Sequence, residues 1–435
     1  MYLAYSLLLT LGLLVLIPHF LLQAVLHGKY IEGLRERLGS LPASNHKSRK
    51  VIWLHCVSVG ETQAARPLLE RLRSQFPEHS LVVSTITITG QNLARKVFEG
   101  IADRVFYFPF DWRWCVRRSL KRISPDVVLI METELWPNFL RECRSQQIPV
   151  ALVNGRISRQ SFRRYRLVRF FLSNVLADLQ LAVMQSKQDA ERIAELGLTE
   201  RKISTAGNLK FDANTASTSP QTTETIKKRF GLGQNTPLIL AASTHAPEEK
   251  IVIDSFKELR QTQPIRLMIA PRRPERFHEV AQLLVDSGLS WVKKTDVEQA
   301  SDAQADLILL DTIGDLPAIY SLASVVFVGG SIADHGGHNV LEPAAVGTCV
   351  VTGHHTHNFH AIVQLLNEAD AIVQLPPLDP KKAAQCLTHE LQSLLADNER
   401  RLKLSQRARQ IIIDNQGATD RTIEMIRPLI IGPSA

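Results

Sequence analysis

Residues 51–61 read VIWLHCVSVGE, and the change of character inside this stretch decides the fold. VIWLHC is a short, almost continuously apolar, β-rich run. Gly60 then permits a tight turn, and Glu61 opens a helical stretch that continues through Arg66, Pro67 and Leu68. A strand without polar alternation belongs in a sheet covered on both faces, which is the environment of parallel strands.

The same rhythm spreads outward on both sides. LVVSTITI (81–88), VFYFPF (105–110), DVVLIM (126–131) and VALVN (150–154) follow, and PLILAAS (237–243), IRLMIA (265–270), DLILLD (306–311), VVFVGG (325–330) and CVVTG (349–353) resume it. The pattern predicts an α/β protein with two doubly wound, Rossmann-like domains, whose ligands bind at the carboxyl ends of the strands in a cleft between them. DANTASTSPQTTET (212–225) is rich in Ser, Thr and Ala, lacks periodicity and reads as an exposed linker. From Asp397 to Ile430 the apolar spacing is helical. The expected boundaries are an N-terminal anchor over 1–28, a first domain over 29–212, the linker over 213–225, and a second domain over 226–435 that includes the terminal helices.

Charge separates the halves. Residues 1–210 carry 30 Lys and Arg against 17 Asp and Glu, a balance of +13, whereas residues 211–435 carry 21 against 26, a balance of −5. The positive half favours a polyanion or an anionic bilayer. Nucleic acid is disfavoured, because aromatic residues make up only 6% of the chain and no recognition motif interleaves them with Lys and Arg. The five cysteines are odd in number and never form a CxxC pair, which removes disulfide-framework and zinc-ribbon readings and fits a reducing compartment.

Residues 1–28 contain no Asp, Glu, Lys or Arg. A helix of this length reaches across a hydrocarbon core of about 30 Å. A cleaved signal peptide would need an early cation and a shorter apolar run, whereas Lys29, Arg35 and Arg37 follow the run here. The positive-inside rule then keeps the remainder cytoplasmic. Pro18, His19 and Gln23 leave open a helix that lies in the membrane interface.

Several strand-end motifs carry candidate chemistry. SVGE (58–61) places Glu61 at a helix N-terminus, where a carboxylate is either a capping group or a general base facing a ligand. METELWPN (131–138) puts Glu132 and Glu134 on one face if the strand continues through them, about 7 Å apart. A metal is an alternative reading of that pair, although no DxD motif accompanies it. In GNLKFD (207–212), Lys210 is either a solvated cation or a partner for an anion.

VGGSIADHGGHNVLEPAA (328–345) reads as strand, two glycine turns that permit close backbone approach, and helix, with the amides opening that helix suited to an anion and with Asn339 and Glu342 on the helix suited to a sugar or base. Arg272 of APRRPERF (270–277) and the loop DTIGDLP (311–317) lie on the same edge, and the three loops together point to a nucleotide. The tract GHHTHNFH (353–360) lacks the HExxH spacing of a metal helix. No P-loop, GxGxxG or GxSxG motif is present, which removes the main support for ATPase, NAD-enzyme and serine-hydrolase readings.

Taken in order, SVGE, METELWPN, LKFD, APRxPERF and GGHNxLE resemble the 3-deoxy-D-manno-oct-2-ulosonic acid (Kdo) transferases across nearly the whole chain. The resemblance implies a GT-B fold and inverting transfer of Kdo from CMP-Kdo to the lipid A precursor lipid IVA, in lipopolysaccharide synthesis. It also implies a single N-terminal anchor in the inner membrane, with the catalytic domains on the cytoplasmic side. It makes Glu61 the catalytic base, with Glu132 and Lys210 as transition-state stabilisers. It places CMP on Pro271 and Arg272, on Ile313, Gly314 and Asp315, and on Asn339, Val340, Leu341 and Glu342. Arg273 stands where the family pattern has His, and Asp315 where Glu is commoner. The expected partners are CMP-Kdo, lipid IVA and the anionic inner membrane, with no metal and no cofactor beyond the donor. The alternatives are another membrane-associated GT-B enzyme that uses a UDP-sugar, and a non-catalytic glycolipid-binding protein.

Overall fold

The computed structural model describes residues 2–27, 33–41, 49–213, 220–233, 236–377 and 379–432. The chain divides into two compact units, Met1–Ala213 with Asn415–Ala435, and Asn214–Asp414.

The first unit is built on β1 (Val51–His55), β2 (Ser80–Thr85), β3 (Arg104–Tyr107), β4 (Val127–Met131), β5 (Val150–Gly155), β6 (Leu181–Met184) and β7 (Ile203–Thr205). All pairings are parallel, in the order β3-β2-β1-β4-β5-β6-β7. β1, β2, β4 and β5 are buried along their whole length, as the lack of polar alternation requires. The chain leaves β1 toward β2 and β3, then returns to place β4 on the other side of β1. This reversal opens a crevice at the carboxyl ends of β1 and β4.

The second unit is a similar doubly wound sheet of β8 (Leu238–Thr244), β9 (Arg266–Pro271), β10 (Trp291–Lys293), β11 (Leu307–Leu309), β12 (Val325–Val328), β13 (Cys349–Thr352) and β14 (Val373–Gln374). The order is β10-β11-β9-β8-β12-β13-β14, again all parallel, with the reversal between β8 and β12. The expected strand runs recur with shifted ends, while β6, β7, β10 and β14 were not foreseen. Each of the four is only two to four residues long, too short to show a periodicity.

Two boundaries differ from the sequence expectation. The terminal helices do not stay together, because Ala418–Ile431 belongs to the first unit rather than to 226–435. Its Ala418, Ile423, Ile426 and Ile430 join a buried cluster with Leu68, Leu69 and Leu72 of the helix Val59–Gln75. The Asp212 carboxylate accepts hydrogen bonds from the Gly417 and Thr419 amides at its start, 2.8 and 2.6 Å away. Burial of four apolar side chains outweighs chain order, at roughly 1.5–3 kcal/mol for each large one. Of the expected linker, 214–219 lies outside the described residues, and a helix is already under way over Pro220–Arg229, with Ile226 buried. Gly28 and Lys29 also lie outside the described residues.

The N-terminal segment is a helix, Tyr2–His27. Its first turns dock on the first unit through polar side chains: the Tyr2 hydroxyl donates to Asp178 (2.9 Å), Asn138 Nδ2 donates to Ser6 Oγ (3.0 Å), and Trp112 Nε1 donates to Thr10 Oγ1 (3.1 Å). Tyr2 and Tyr5 also pack on Phe171. Leu3, Leu7, Leu8, Leu11, Leu14 and Val15 face outward, uncovered by the unit. Among the described residues, no helix is long and apolar enough to cross a membrane.

Candidate active site

In the first unit, the two strands that flank the reversal deliver the two expected carboxylates. Ser58 ends the turn after β1 in extended geometry and caps the helix Val59–Gln75, its hydroxyl oxygen accepting from the Glu61 amide at 3.3 Å. The Glu61 carboxylate folds back over the same turn. Oε1 accepts from the Ser58 hydroxyl (2.8 Å) and Oε2 from the Val57 amide (2.8 Å), and the residue is only 6% exposed. The capping reading of this position holds, and the same contacts fix the carboxylate over the turn.

Burial pushes the Glu61 carboxyl up to about 7, with Glu132 and then Glu134 adding to the rise, against the pull of the Val57 and Ser58 hydrogen bonds. A carboxylate poised near neutrality suits a general base.

Glu132 differs from its expected placement. β4 stops at Met131, and Glu132 takes a left-handed backbone conformation (φ 53°) while its amide still reaches the Val153 carbonyl (3.0 Å). Glu132 and Glu134 thus lie on a turn rather than on one face of a strand. Such a φ costs a non-glycine residue on the order of 1–2 kcal/mol. Burial and the Glu132 charge raise Glu134 above its usual range. Lys210 Nζ approaches Glu132 Oε1 at 3.8 Å, both side chains being largely buried.

Lys210 is aimed by residues that the motif alone does not explain. Its short helix, Leu209–Phe211, is capped by Asn208, whose Oδ1 accepts from the Lys210 amide (3.0 Å). The Leu209 amide donates to Asn154 Oδ1 (3.0 Å) at the end of β5, where Asn154 is also left-handed (φ 53°). Asn154 went unnoticed in the sequence because a lone Asn after a strand looks like any turn residue.

The second unit carries the other expected residues, of which the structure links Arg272 with Glu342 through charge. Arg272 follows β9 and is exposed, its amide donating to the Thr244 carbonyl (3.0 Å). Pro271 closes β9 and is buried. Ile313 and Gly314 form an exposed loop, with Gly314 at φ 100°. Asp315 is already engaged, accepting from Lys294 Nζ (2.7 Å) and Thr312 Oγ1 (2.5 Å). Burial opposes its ionisation, but these two hydrogen bonds outweigh it and hold the carboxyl below its usual range.

Asn339 and Glu342 do not lie together on a helix. The helix is only Leu341–Ala345, Asn339 precedes it, and Asn339 Nδ2 donates to Glu342 Oε1 (3.0 Å) while Asn339 Oδ1 occupies the Leu341 amide (3.0 Å). Val340 and Leu341 are buried beneath them. Burial raises Glu342, against hydrogen bonds from Asn339 and Tyr320 and the charge of Arg272.

The amides of the glycine turn after β12 are taken by the fully buried Glu248. Oε1 accepts from Ser331 (2.8 Å), Ile332 (2.8 Å) and Ala333 (3.2 Å), and Oε2 accepts from Gly330 (2.7 Å) and His245 (3.0 Å). Gly329 is required by this approach, since a Cβ there would lie 2.7 Å from both Glu248 Oε2 and Thr244 Cα. Glu248 went unnoticed because a Glu in the first turn of a helix is normally only favourable to the dipole. Four of its five amide partners lie more than eighty residues away in sequence. In the histidine tract, His355 Nδ1 lies 3.2 Å from Asp334. Among the described residues, no group of three or more His, Cys, Asp or Glu is placed to hold a metal.

Known proteins match this arrangement. The family described as 3-Deoxy-D-manno-octulosonic-acid transferase (kdotransferase) matches residues 32–213. The 3-deoxy-D-manno-octulosonic acid transferase of Haemophilus influenzae is 31% identical over 94% of each chain. That of Bordetella pertussis is 33% identical over 86% of each. Among solved structures, a glycosyltransferase from Rickettsia africae (TM-score 0.58, 14% identity) covers 89% of this chain and 100% of its own. UDP-GlcNAc 2-epimerase from Neisseria meningitidis (TM-score 0.58, 13% identity) covers 87% of this chain and 99% of its own. Both likenesses concern the fold, which is GT-B. With full-length relatives above 30% identity and two carboxylates at the first unit's sheet reversal, the chain belongs to the 3-deoxy-D-manno-octulosonic acid transferases.

Proposed function

We propose that the protein transfers Kdo from CMP-Kdo to a hydroxyl of lipid IVA with inversion. The observation that carries this reading is Glu61, a buried carboxyl held near neutrality between two hydrogen-bond donors and two further carboxylates. Glu61 removes the proton of the acceptor hydroxyl as its oxygen forms a bond to the anomeric carbon. The bond from that carbon to the phosphate oxygen breaks, and its electron pair leaves with CMP. Glu132 supports the positive charge that develops on the sugar, and Lys210 holds Glu132 in place and meets the sugar carboxylate. Arg272 stabilises the departing phosphate without a divalent cation.

A bilayer-bound acceptor accords with the surface of the first unit. The exposed leucines of the N-terminal helix have counterparts in Leu167, Val168 and Phe170, interspersed with exposed Arg163, Arg164, Arg166 and Arg169. Apolar side chains among arginines fit an interface of acyl chains and phosphates. We place the protein on the cytoplasmic side of the inner membrane, with the N-terminal helix lying in the interface.

The test is mass spectrometry of lipid IVA after incubation with the purified protein and a CMP-Kdo generating system. A mass gain that disappears with Glu61→Ala is expected. No gain from folded wild-type protein with a working donor supply overturns the reading, and a gain with a UDP-sugar instead replaces the donor.

A further inference from the structure

The reversal of the second sheet carries a pair of histidines to which the mechanism above gives no role. His245 follows β8 and His338 follows β12, the two strands that flank the reversal, where a doubly wound sheet binds its ligand. Their Nε2 atoms are 2.9 Å apart, so one proton lies between two ring nitrogens. The rings are nearly parallel, 12° between planes, and His335 stacks on His245 with centroids 4.1 Å apart.

Both rings are held in place from behind. The His245 amide is fixed by Glu248, and His338 lies against Gly330, where a Cβ would come within 2.9 Å of its ring. The pair adjoins the expected nucleotide contacts: His338 immediately precedes Asn339, and the charge of Arg272 acts on both His338 and Glu342.

We infer that the His245–His338 pair is a phosphate-binding element of the donor site, taking one proton from solvent as the nucleotide's phosphate binds and releasing it as the nucleotide leaves. This deepens, and rests on, the reading of the second unit as the site of a CMP-sugar. In the neutral pair, one Nε2–H bridges to the other Nε2, and one of the two Nδ1 atoms lacks a proton. The added proton goes to that Nδ1, so the bridge survives and the pair becomes a monocation facing the phosphate.

The surroundings explain why a ligand is needed. Burial holds His245 down to about 4, aided by His335, Arg273, Arg276 and Arg272; burial holds His338 down to about 3, aided by Arg272, His245 and His335. Arg273, the departure from the family pattern, is one of these cations. Glu248 faces the same turn, but its oxygens are occupied by amides. An arriving phosphate opposes the cationic field that keeps the pair neutral, and an opposite charge at contact raises proton affinity by about 1–3 pH units.

The probe is the methyl ester of CMP, a phosphodiester like the donor with no group that titrates near neutrality, added to the full-length protein. Isothermal titration calorimetry at about pH 5.5, in two buffers of different ionisation enthalpy, is expected to show proton uptake on binding. Affinity is expected to be severalfold higher at about pH 5.5 than at about pH 8. His338→Asn and His245→Asn should abolish the uptake and weaken the ester about tenfold, leaving cytidine binding unchanged. Ester binding by the wild type without uptake, or the same uptake in folded variants, overturns the proposal. Equal loss of cytidine and ester binding overturns it as well, by assigning the pair a purely structural role. The wild-type measurement needs no variant, so misfolding of a variant does not shield the proposal. If the wild type binds neither the ester nor CMP, the donor reading itself fails.

Discussion

The two units are both seven-stranded parallel sheets with a reversal beside the first strand, although the second inserts β11 between β9 and β10, and they treat their carboxylates in opposite ways. At the reversal of the first sheet, Glu61, Glu132 and Glu134 crowd together, and the carboxyls of Glu61 and Glu134 are pushed up by burial and by the Glu132 charge. At the corresponding edge of the second sheet, Glu248 is satisfied by five amides and Asp315 by Lys294 and Thr312, while Arg272 and Arg273 are exposed and their charges act on the imidazole of His245. On the function proposed above, one edge accepts a proton and the other receives an anion. A similar doubly wound architecture therefore sets only where chemistry occurs, and side-chain partners set its sign.

The sharpest way to break this comparison is Glu61→Gln. If the first edge supplies the base and the second unit binds the donor as proposed, turnover should fall by about 10²- to 10⁴-fold while CMP affinity should not change. Initial rates and CMP calorimetry on the same preparation check both halves.

Next in size is Glu248→Gln. Its amide nitrogen cannot accept from the backbone N–H groups, so buried donors go unpaired at a cost of about 1–3 kcal/mol each. A lower melting temperature and weaker CMP binding are expected. An unchanged turn with normal donor KM would show that the glycines alone hold it.

pH sharpens the contrast further. The active base is the ionised form, so kcat/KM should rise with pH through about 7. Glu134→Gln removes a neighbouring negative charge that raises Glu61 and should move this limb to lower pH. A limb that stays in place would separate the rate from Glu61.

The smallest effect concerns stability. Because folding raises the Glu61 carboxyl from 4.5 to about 7, its ionisation works against the fold. That penalty is absent below about pH 4.5, grows as pH rises, and is complete above about 7. Wild type should therefore lose up to about 3 kcal/mol relative to Glu61→Gln across that window, a difference read from melting curves as a function of pH.

Much of this was legible in the residues. VIWLHC, DVVLIM and PLILAAS announce buried parallel strands because no polar residue alternates within them, and SVGE announces a strand–turn–helix. What stayed hidden depended on distant partners. METE looked like strand until Glu132 proved left-handed, because a strand's end is decided by its neighbour β5. The terminal helix carries an apolar stripe that any covered face would satisfy, and only folding selects the helix Val59–Gln75 as its partner. Glu248 and Asn154 are unremarkable letters whose roles come from amides 82 and 55 residues away.

The sequence by itself determined the two parallel α/β units, the excess of cations in the first half, the motif residues Glu61, Glu132, Lys210 and Arg272, and the family. The units and the charge follow from local periodicity and composition, while the family and the expected roles of those residues follow from the resemblance that the motifs carry. Only the tertiary structure decided which charges meet. It brought Glu132 to Lys210, gave the glycine-turn amides to Glu248, and paired His245 with His338. A carboxylate or imidazole has the proton affinity of its surroundings, and those surroundings come from residues far apart in the chain.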